Sequence, residues 1–263
     1  KAMSLPILAR NRGGAFAAGP AAPADAATVT RQDDLVGWWK MDENTGTNVE
    51  DTIDGKDITL DGTDTPAWAT GKNGSGLDFD GTNDFATSSD GPTVAGDATI
   101  AFWFNQDTSF GNDKVFVASK GYYTIGSANN WSLRTRATGD IRIIMADPQA
   151  YGWLIGDWDT NLSVDTWYHL AFVLDTATPV LKLYVDGSVH GTTFDPEHVT
   201  TGIKTFADAS NGLTIGANHQ TGGGPYSFWN GTLDDLRIYN VALGADDVDD
   251  IVNKNGSGLG DWP

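Results

Sequence analysis

Leu181-Lys182-Leu183-Tyr184-Val185-Asp186-Gly187 reads as a strand running into a tight turn. The alternation puts Leu181, Leu183 and Val185 on one face and Lys182 on the other, the period of a half-buried β-strand. Asp-Gly between two such runs signals a two-residue hairpin, because both central residues need a positive φ that Gly adopts freely and Asp tolerates. Working outward, Trp167 to Leu174 reads as the preceding strand, and Thr99 to Phe104 and Leu233 to Tyr239 as others. Ile141 to Met145 follows a Gly139-Asp140 turn in the same way. The 32 glycines suit a chain of many tight turns. Helical signal is confined to Gly244 to Val252, where Asp246 and Asp247 favour the positive end of one short helix. Short strands with regular turns imply an all-β sandwich or barrel.

Composition narrows the function. The net charge of −19 argues against nucleic acid, whose phosphates must be neutralised by Lys and Arg, and against an anionic membrane surface. Only Glu43, Glu50 and Glu197 of the 35 acidic residues are Glu. Asp is both a turn former and an oxygen ligand for calcium, and most of these Asp are expected to be a solubilising surface. Without cysteine there are no disulfides, thiol chemistry or Cys-based zinc sites. No apolar run is long enough to span a membrane.

Residues 1–32 differ from the remainder. They are rich in Ala, Pro and Gly, and before residue 31 carry Lys1, Arg10 and Arg12 against Asp25, opposite in sign to the whole chain. Ser4 to Ala9 is too short for the apolar region of a signal peptide, and its arginines follow it. The expected organisation is a basic arm over 1–32, a β-sandwich over 33–253 and a tail over 254–263. A basic arm complements an acidic body, and Ala26 to Thr30 could add as a strand to a sheet edge of this chain or of a second copy.

Six segments, in order, resemble the laminin G-like branch of the concanavalin A-like superfamily. Trp38 to Glu43 is similar to its opening strand and Asp51 to Asp57 to the following acidic loop. Gly76-Leu77-Asp78-Phe79-Asp80-Gly81-Thr82-Asn83-Asp84-Phe85 resembles its F-x-G-x-x-D segment. Trp167 to Phe172 with Leu181 to Gly187 resembles the central hairpin, and Leu213 to Gly216 follows. Gly231 to Leu243 resembles the closing strand and the start of its helix. The resemblance spans about 35–253, with much of Asn105 to Tyr151 unmatched. It implies a jelly-roll sandwich of two antiparallel sheets, with the first and last segments adjacent in one sheet.

The resemblance also implies a structural calcium ion. Asp51, Asp54 and Asp57 lie in a Gly-containing loop able to present several oxygens to a hard cation. In such families this loop meets the acid of the closing strand, which here is Asp234. The expected ligands are Asp51, Asp54 and Asp234, with Asp42 a lesser candidate; the alternative is that Asp234 pairs with Arg237. Glycan binding is the second expectation. Tyr151, Trp153 and Trp158 are close in a Gly-rich stretch and form a candidate sugar-stacking platform, and Asn218 to Gly222 with Tyr226, Phe228 and Trp229 form another, although alternating Trp, Trp229 among them, more often belong to a core.

Catalysis is not expected. The superfamily's glucanases use a Glu-x-Asp-x-x-Glu arrangement that is absent here, and the histidines show no metal spacing. Two readings follow. The first is a non-enzymatic extracellular module that binds a glycan or polysaccharide and is stabilised by calcium. The alternative is a structural subunit of an extracellular filament, sheath or surface layer, joined to copies of itself through residues 1–30.

Overall fold

A computed structural model describes residues 31–61, 65–92, 94, 96–111, 113–119, 131–147, 152–177, 180–192, 212–219 and 224–254. Residues 1–30 of the basic arm (1–32) and the tail beyond 254 lie outside them, so the expected strand addition falls outside the described residues.

The strands are β1 (Leu35–Trp39), β2 (Asn48–Val49), β3 (Ile58–Asp61), β4 (Ala67–Thr70), β5 (Ser75–Asp80), β6 (Phe85–Thr87), β7 (Ala98–Gln106), β8 (Lys114–Ser119), β9 (Trp131–Thr135), β10 (Ile141–Asp147), β11 (Gly152–Trp158), β12 (Trp167–Asp175), β13 (Val180–Val185), β14 (Ser188–Thr192), β15 (Leu213–Ile215), β16 (Asn218–His219), β17 (Pro225–Tyr226) and β18 (Asn230–Tyr239). One helix, α1 (Ala245–Lys254), follows β18. Among the described residues the strands form two main sheets. The first is ordered β14-β13-β12-β7-β18-β5-β4, and the second β11-β10-β9-β8-β15-β6-β3-β2. The β13–β14 hairpin turns at Asp186 (φ 49) and Gly187 (φ 79), both in the left-handed region the Asp-Gly reading requires. The unmatched stretch after Asn105 supplies much of the second sheet.

The inner faces of the two sheets meet in one core. Phe102, Phe104, Phe172, Leu183, Leu233 and Leu236 come from the first, and Phe116, Leu133, Ile143 and Ile215 from the second. The outer face of the first sheet carries a smaller apolar cluster of Trp38, Ala101, Ala171, Val173, Tyr184 and Tyr239, packed against Val248 and Ile251 of α1. Its alternation therefore buries both faces, which explains why β7 and β12 read as nearly continuous apolar runs.

β18 sits centrally, with β7 along one side. Its other side is shared by two strands laid end to end: β5 pairs with Asn230 to Leu233, and β1 with Leu236 to Tyr239. First and last segments are thus neighbours, as expected. At the joint the register slips: two residues lie between Asp234 and Arg237 on β18, against one between Trp103 and Ala101 on β7. The extra residue is a β-bulge, with Asp235 at φ 53. It sets two residues, Asp234 and Asp235, between core-facing Leu233 and Leu236. A regular strand would turn one carboxylate into the core; the bulge lets both face away from it.

Candidate functional site

The bulge gathers the acidic groups. The chain leaving β1 passes through Asp42 and Glu43, and the chain entering β5 passes through Gly71 to Gly74. Both reach the gap between the two strands. Asp234 is fully buried there. Its Oδ2 accepts the Asn73 N–H at 2.8 Å, and its Oδ1 has no hydrogen-bond partner. Asp42 Oδ1 accepts the Ser75 N–H at 3.0 Å. Glycine is required beside both carboxylates: a Cβ on Gly74 would lie 2.1 Å from Asp42 Oδ1, and one on Gly71 2.7 Å from Asp234 Oδ2. Burial, reinforced by the charges of Asp235 and Asp42, outweighs the N–H bonds of Asn73 and Lys72 and pushes the Asp234 carboxyl up to about 8.

Asp235 has a different neighbourhood. Its Oδ1 accepts Trp38 Nε1 at 2.6 Å and Arg237 Nε at 3.1 Å. Arg237 is 2% exposed, with its guanidinium 4.5 Å from the centre of the Trp38 ring, and Lys40 Nζ lies 4.6 Å from the same ring. Burial pushes the Asp235 carboxyl up, against the pull of Arg237 and Trp38. The expected alternative partner of Arg237, Asp234, is therefore replaced by the next residue along. His169 lies edge-on to Trp103 at 5.1 Å and is buried; burial, with Arg237 nearby, lowers its pKa to about 3, so the ring is neutral.

The acidic loop does not join this site. Asp51 Oδ1 accepts the N–H groups of Trp38 (2.9 Å) and Ile53 (3.1 Å), and its Oδ2 those of Asp54 and Lys56 (both 3.2 Å). Four donors aimed at one carboxylate make a nest for negative charge, the opposite of a cation site. Asp51 closes its own loop and fixes it to β1. Asp54 is exposed and pairs with Lys56 Nζ at 2.8 Å. Of the expected set Asp51, Asp54 and Asp234, the structure places Asp234 near Asp42, the lesser candidate, and turns Asp51 and Asp54 to other partners. Among the described residues no three acidic or histidine side chains converge as a metal cluster.

The aromatic platform also changes. Tyr151 lies outside the described residues, and Trp153 is placed only as a residue of β11, paired with Ala146. Trp158 is 2% exposed, packs edge-on against Phe172 at 6.0 Å and donates from Nε1 to the Gly191 carbonyl at 3.2 Å. It is a core residue, not a stacking face, because β11 points this position between the sheets. Trp158→Phe is expected to cost about 2 kcal/mol in urea unfolding, from one lost hydrogen bond and a smaller ring, without changing ligand binding.

A feature that the sequence reading did not single out lies at one end of the sandwich. A cavity of about 250 Å³ opens where β5, β7 and β18 end or begin beside the start of β8. Asn230 pairs with Asp80 on one side, and Gly231 with Gln106 on the other. Lys114, Thr108 and Phe228 complete the polar lining with its single aromatic ring. Beneath it Trp229 is buried against Phe116 (5.1 Å) and Phe79 (5.9 Å), and donates from Nε1 to Gln106 Oε1 at 2.6 Å. In the sequence Phe228 and Trp229 stood out as part of a candidate stacking surface; the structure puts Phe228 on the cavity wall and Trp229 beneath it, while the polar lining carried no signal.

Two face-to-face antiparallel sheets with first and last strands paired define a lectin/glucanase-type jelly roll. The family model described as concanavalin A-like lectin/glucanases superfamily, of laminin G type, matches residues 80–249, and the chain belongs to that family. No curated protein matches it. Among solved structures it is similar to domain 4 of AbnA, a GH43 extracellular arabinanase from Geobacillus stearothermophilus, in complex with arabinotriose. The TM-score is 0.62 at 20% identity, covering 84% of this chain and 98% of that domain. The binding domain of Paraclostridial Mosquitocidal Protein 1 is similar with TM-score 0.63 at 14% identity, covering 86% of this chain and 53% of that one. The receptor binding domain of botulinum neurotoxin C/D mosaic serotype gives 0.58 at 14% identity, covering 84% and 51%. The chain thus spans about half of those toxin domains. These likenesses concern the fold. Among the described residues no helix is long and apolar enough to cross a membrane.

Proposed function

We propose that this domain is a non-catalytic, extracellular glycan-binding module whose strand joint is fastened by calcium. The observation that carries the binding reading is the end cavity, a polar lining with one aromatic ring on a rigid floor, in a fold of the lectin/glucanase family. The arabinanase domain solved with arabinotriose supports a carbohydrate ligand by analogy. The acidic groups support binding over hydrolysis. Asp234 is buried beyond the reach of a substrate, and Asp80 is the one acidic side chain among the described residues lining the cavity, where a glycosidase needs two.

Asp234 Oδ1 fits a calcium ligand: it is a buried oxygen with no partner, and Asp42 supplies a second negative charge nearby. These two carboxylates would hold the ion, with backbone carbonyls and water filling the remaining positions that calcium takes. The bound ion would neutralise a joint where two strand ends and a loop meet. The test is a glycan array probed with the labelled full chain in calcium and in chelator. Retention of one glycan class, weakened by chelator, is the expected result. An array blank in both buffers would sink the glycan reading, and equal binding in both would remove calcium from it.

A further inference from the structure

The geometry points to the end cavity as a subsite for one neutral sugar ring, clasped through a pair of adjacent hydroxyls by Gln106 and Lys114 on one side and Asp80 on the other; this rests on the glycan-binding reading and narrows it. Gln106 is 2% exposed, yet its amide lines the cavity. The Trp229 indole N–H can only donate, so Gln106 must turn Oε1 toward it, which leaves the two-donor Nε2 end for the cavity. Trp229 is fully buried among aromatic rings, so this donor is fixed before any ligand arrives.

Lys114 supplies the second donor. Its chain runs close over Gly111, where an added Cβ would come within 2.9 Å of Lys114 Cγ, and it forms no ion pair among the described residues. Asp80 supplies the acceptor. Burial works to raise its pKa, but N–H bonds from Thr82 (2.7 Å), Asn83 (3.2 Å) and Asp84 outweigh it and hold the carboxyl below its usual value, so it is ionised. Thr108 Oγ1 donates to Asn230 Oδ1 at 2.9 Å, joining two walls of the cavity. Phe228, half-buried, offers an apolar patch.

This set suits a neutral polyol. A hydroxyl donates and accepts at once, so adjacent hydroxyls can donate to Asp80 while accepting from Lys114 and Gln106. The C–H face of the ring would rest on Phe228. An acidic sugar would meet Asp80 and the field of a chain at −19, and a cation would meet Lys114. The volume of about 250 Å³ lies below the roughly 300–1,000 Å³ of drug-sized sites, which limits the cavity to one ring of a longer chain.

The test is NMR titration of the isotopically labelled full chain with methyl glycosides of glucose, galactose, xylose and arabinose, with arabinotriose, and with glucuronic acid. The expected result is a neutral probe that shifts the Gln106 side-chain amide and the backbone amides of Lys114 and Phe228. Lys114→Met, which keeps the alkyl chain, should weaken it about tenfold, as should Gln106→Glu, which keeps the acceptor for Trp229 and removes the donor. Circular dichroism melting confirms that each variant is folded. Sugar-induced shifts elsewhere, with affinity unchanged in Lys114→Met, would overturn the site and leave the glycan reading standing. Glucuronic acid binding best at these residues would overturn the ligand class. No shift with any probe would overturn the subsite, and the array separately decides whether the glycan reading falls with it.

Discussion

Asp234→Asn is expected to make the calcium-free domain more stable at pH 8 and to abolish its stabilisation by calcium. The Asp234 carboxyl is raised by burial from 3.8 to about 8. Between those values the folded state holds a proton that the unfolded state releases. The stability tied to this group is therefore complete below about pH 4 and is lost as pH rises toward 8, by several kcal/mol over the window. Asparagine is neutral throughout and keeps an oxygen for the Asn73 N–H, so the slope should flatten. On the proposed ligand assignment calcium should act the other way on the parent, favouring the ionised carboxylate and adding about 2.7 kcal/mol at a hundredfold excess over its Kd. Melting curves from pH 5 to 8, in calcium and in chelator, test both halves. A variant less stable than the parent at pH 8 in chelator would refute the buried-charge argument. A variant with an undiminished calcium response would refute the ligand assignment.

Arg237→Met should be the most damaging single change on the outer face of the first sheet. It removes the cation from buried Asp235, whose Oδ1 also accepts the Trp38 N–H, and removes the guanidinium stacked on that indole. Breaking one side of a buried pair costs about 3–5 kcal/mol, because the charge left behind has lost its solvent and its partner. Without Arg237 the Asp235 carboxyl rises further. The deficit should then be small below the ordinary carboxylate pKa and should grow as pH rises through the folded value. Asp235→Asn combined with Arg237→Met should recover most of the loss, since neither partner is then charged. Urea unfolding of parent, single and double variants at pH 4 and pH 7 decides this. Equal destabilisation of single and double variants would show that packing against Trp38, not charge, sets the cost.

The fold was legible because its signals are local. Asp186-Gly187 dictates its turn through backbone conformation alone, and alternation marks the strands around it. The acidic cluster proposed to hold calcium was half legible. Asp234 stands out as an acid in a closing strand, but its companion depended on a bulge that no local pattern announces. Asp51, Asp54 and Asp57 looked like ligands because acids in a glycine loop can serve either a cation or the loop's own N–H groups, and only the backbone path shows which. Trp158 read as a platform because a strand's two faces look alike until the register is known. The polar lining of the end cavity was invisible because Asp80, Gln106 and Asn230 are distant in sequence and are brought together by the pairing of β18 with β5 and β7, with Lys114 added from β8 of the other sheet.

That same central strand carries a kinetic consequence. β18 is the inner member of the first sheet, and β1, β5 and β7 all hydrogen-bond to it, yet it ends at Tyr239. During synthesis from the amino end, β1 emerges long before the strand it pairs with, and β5 emerges with only β4 beside it. The pairing edge of β1 stays open for about two hundred residues more, and that of β5 for about a hundred and fifty. Closure of the sandwich is consequently a late, long-range event, slow in the way that non-local topologies are slow. The waiting strands, Leu35 to Trp39 above all, are where a nascent or refolding chain is most exposed to pairing with a neighbour before its own last strand arrives.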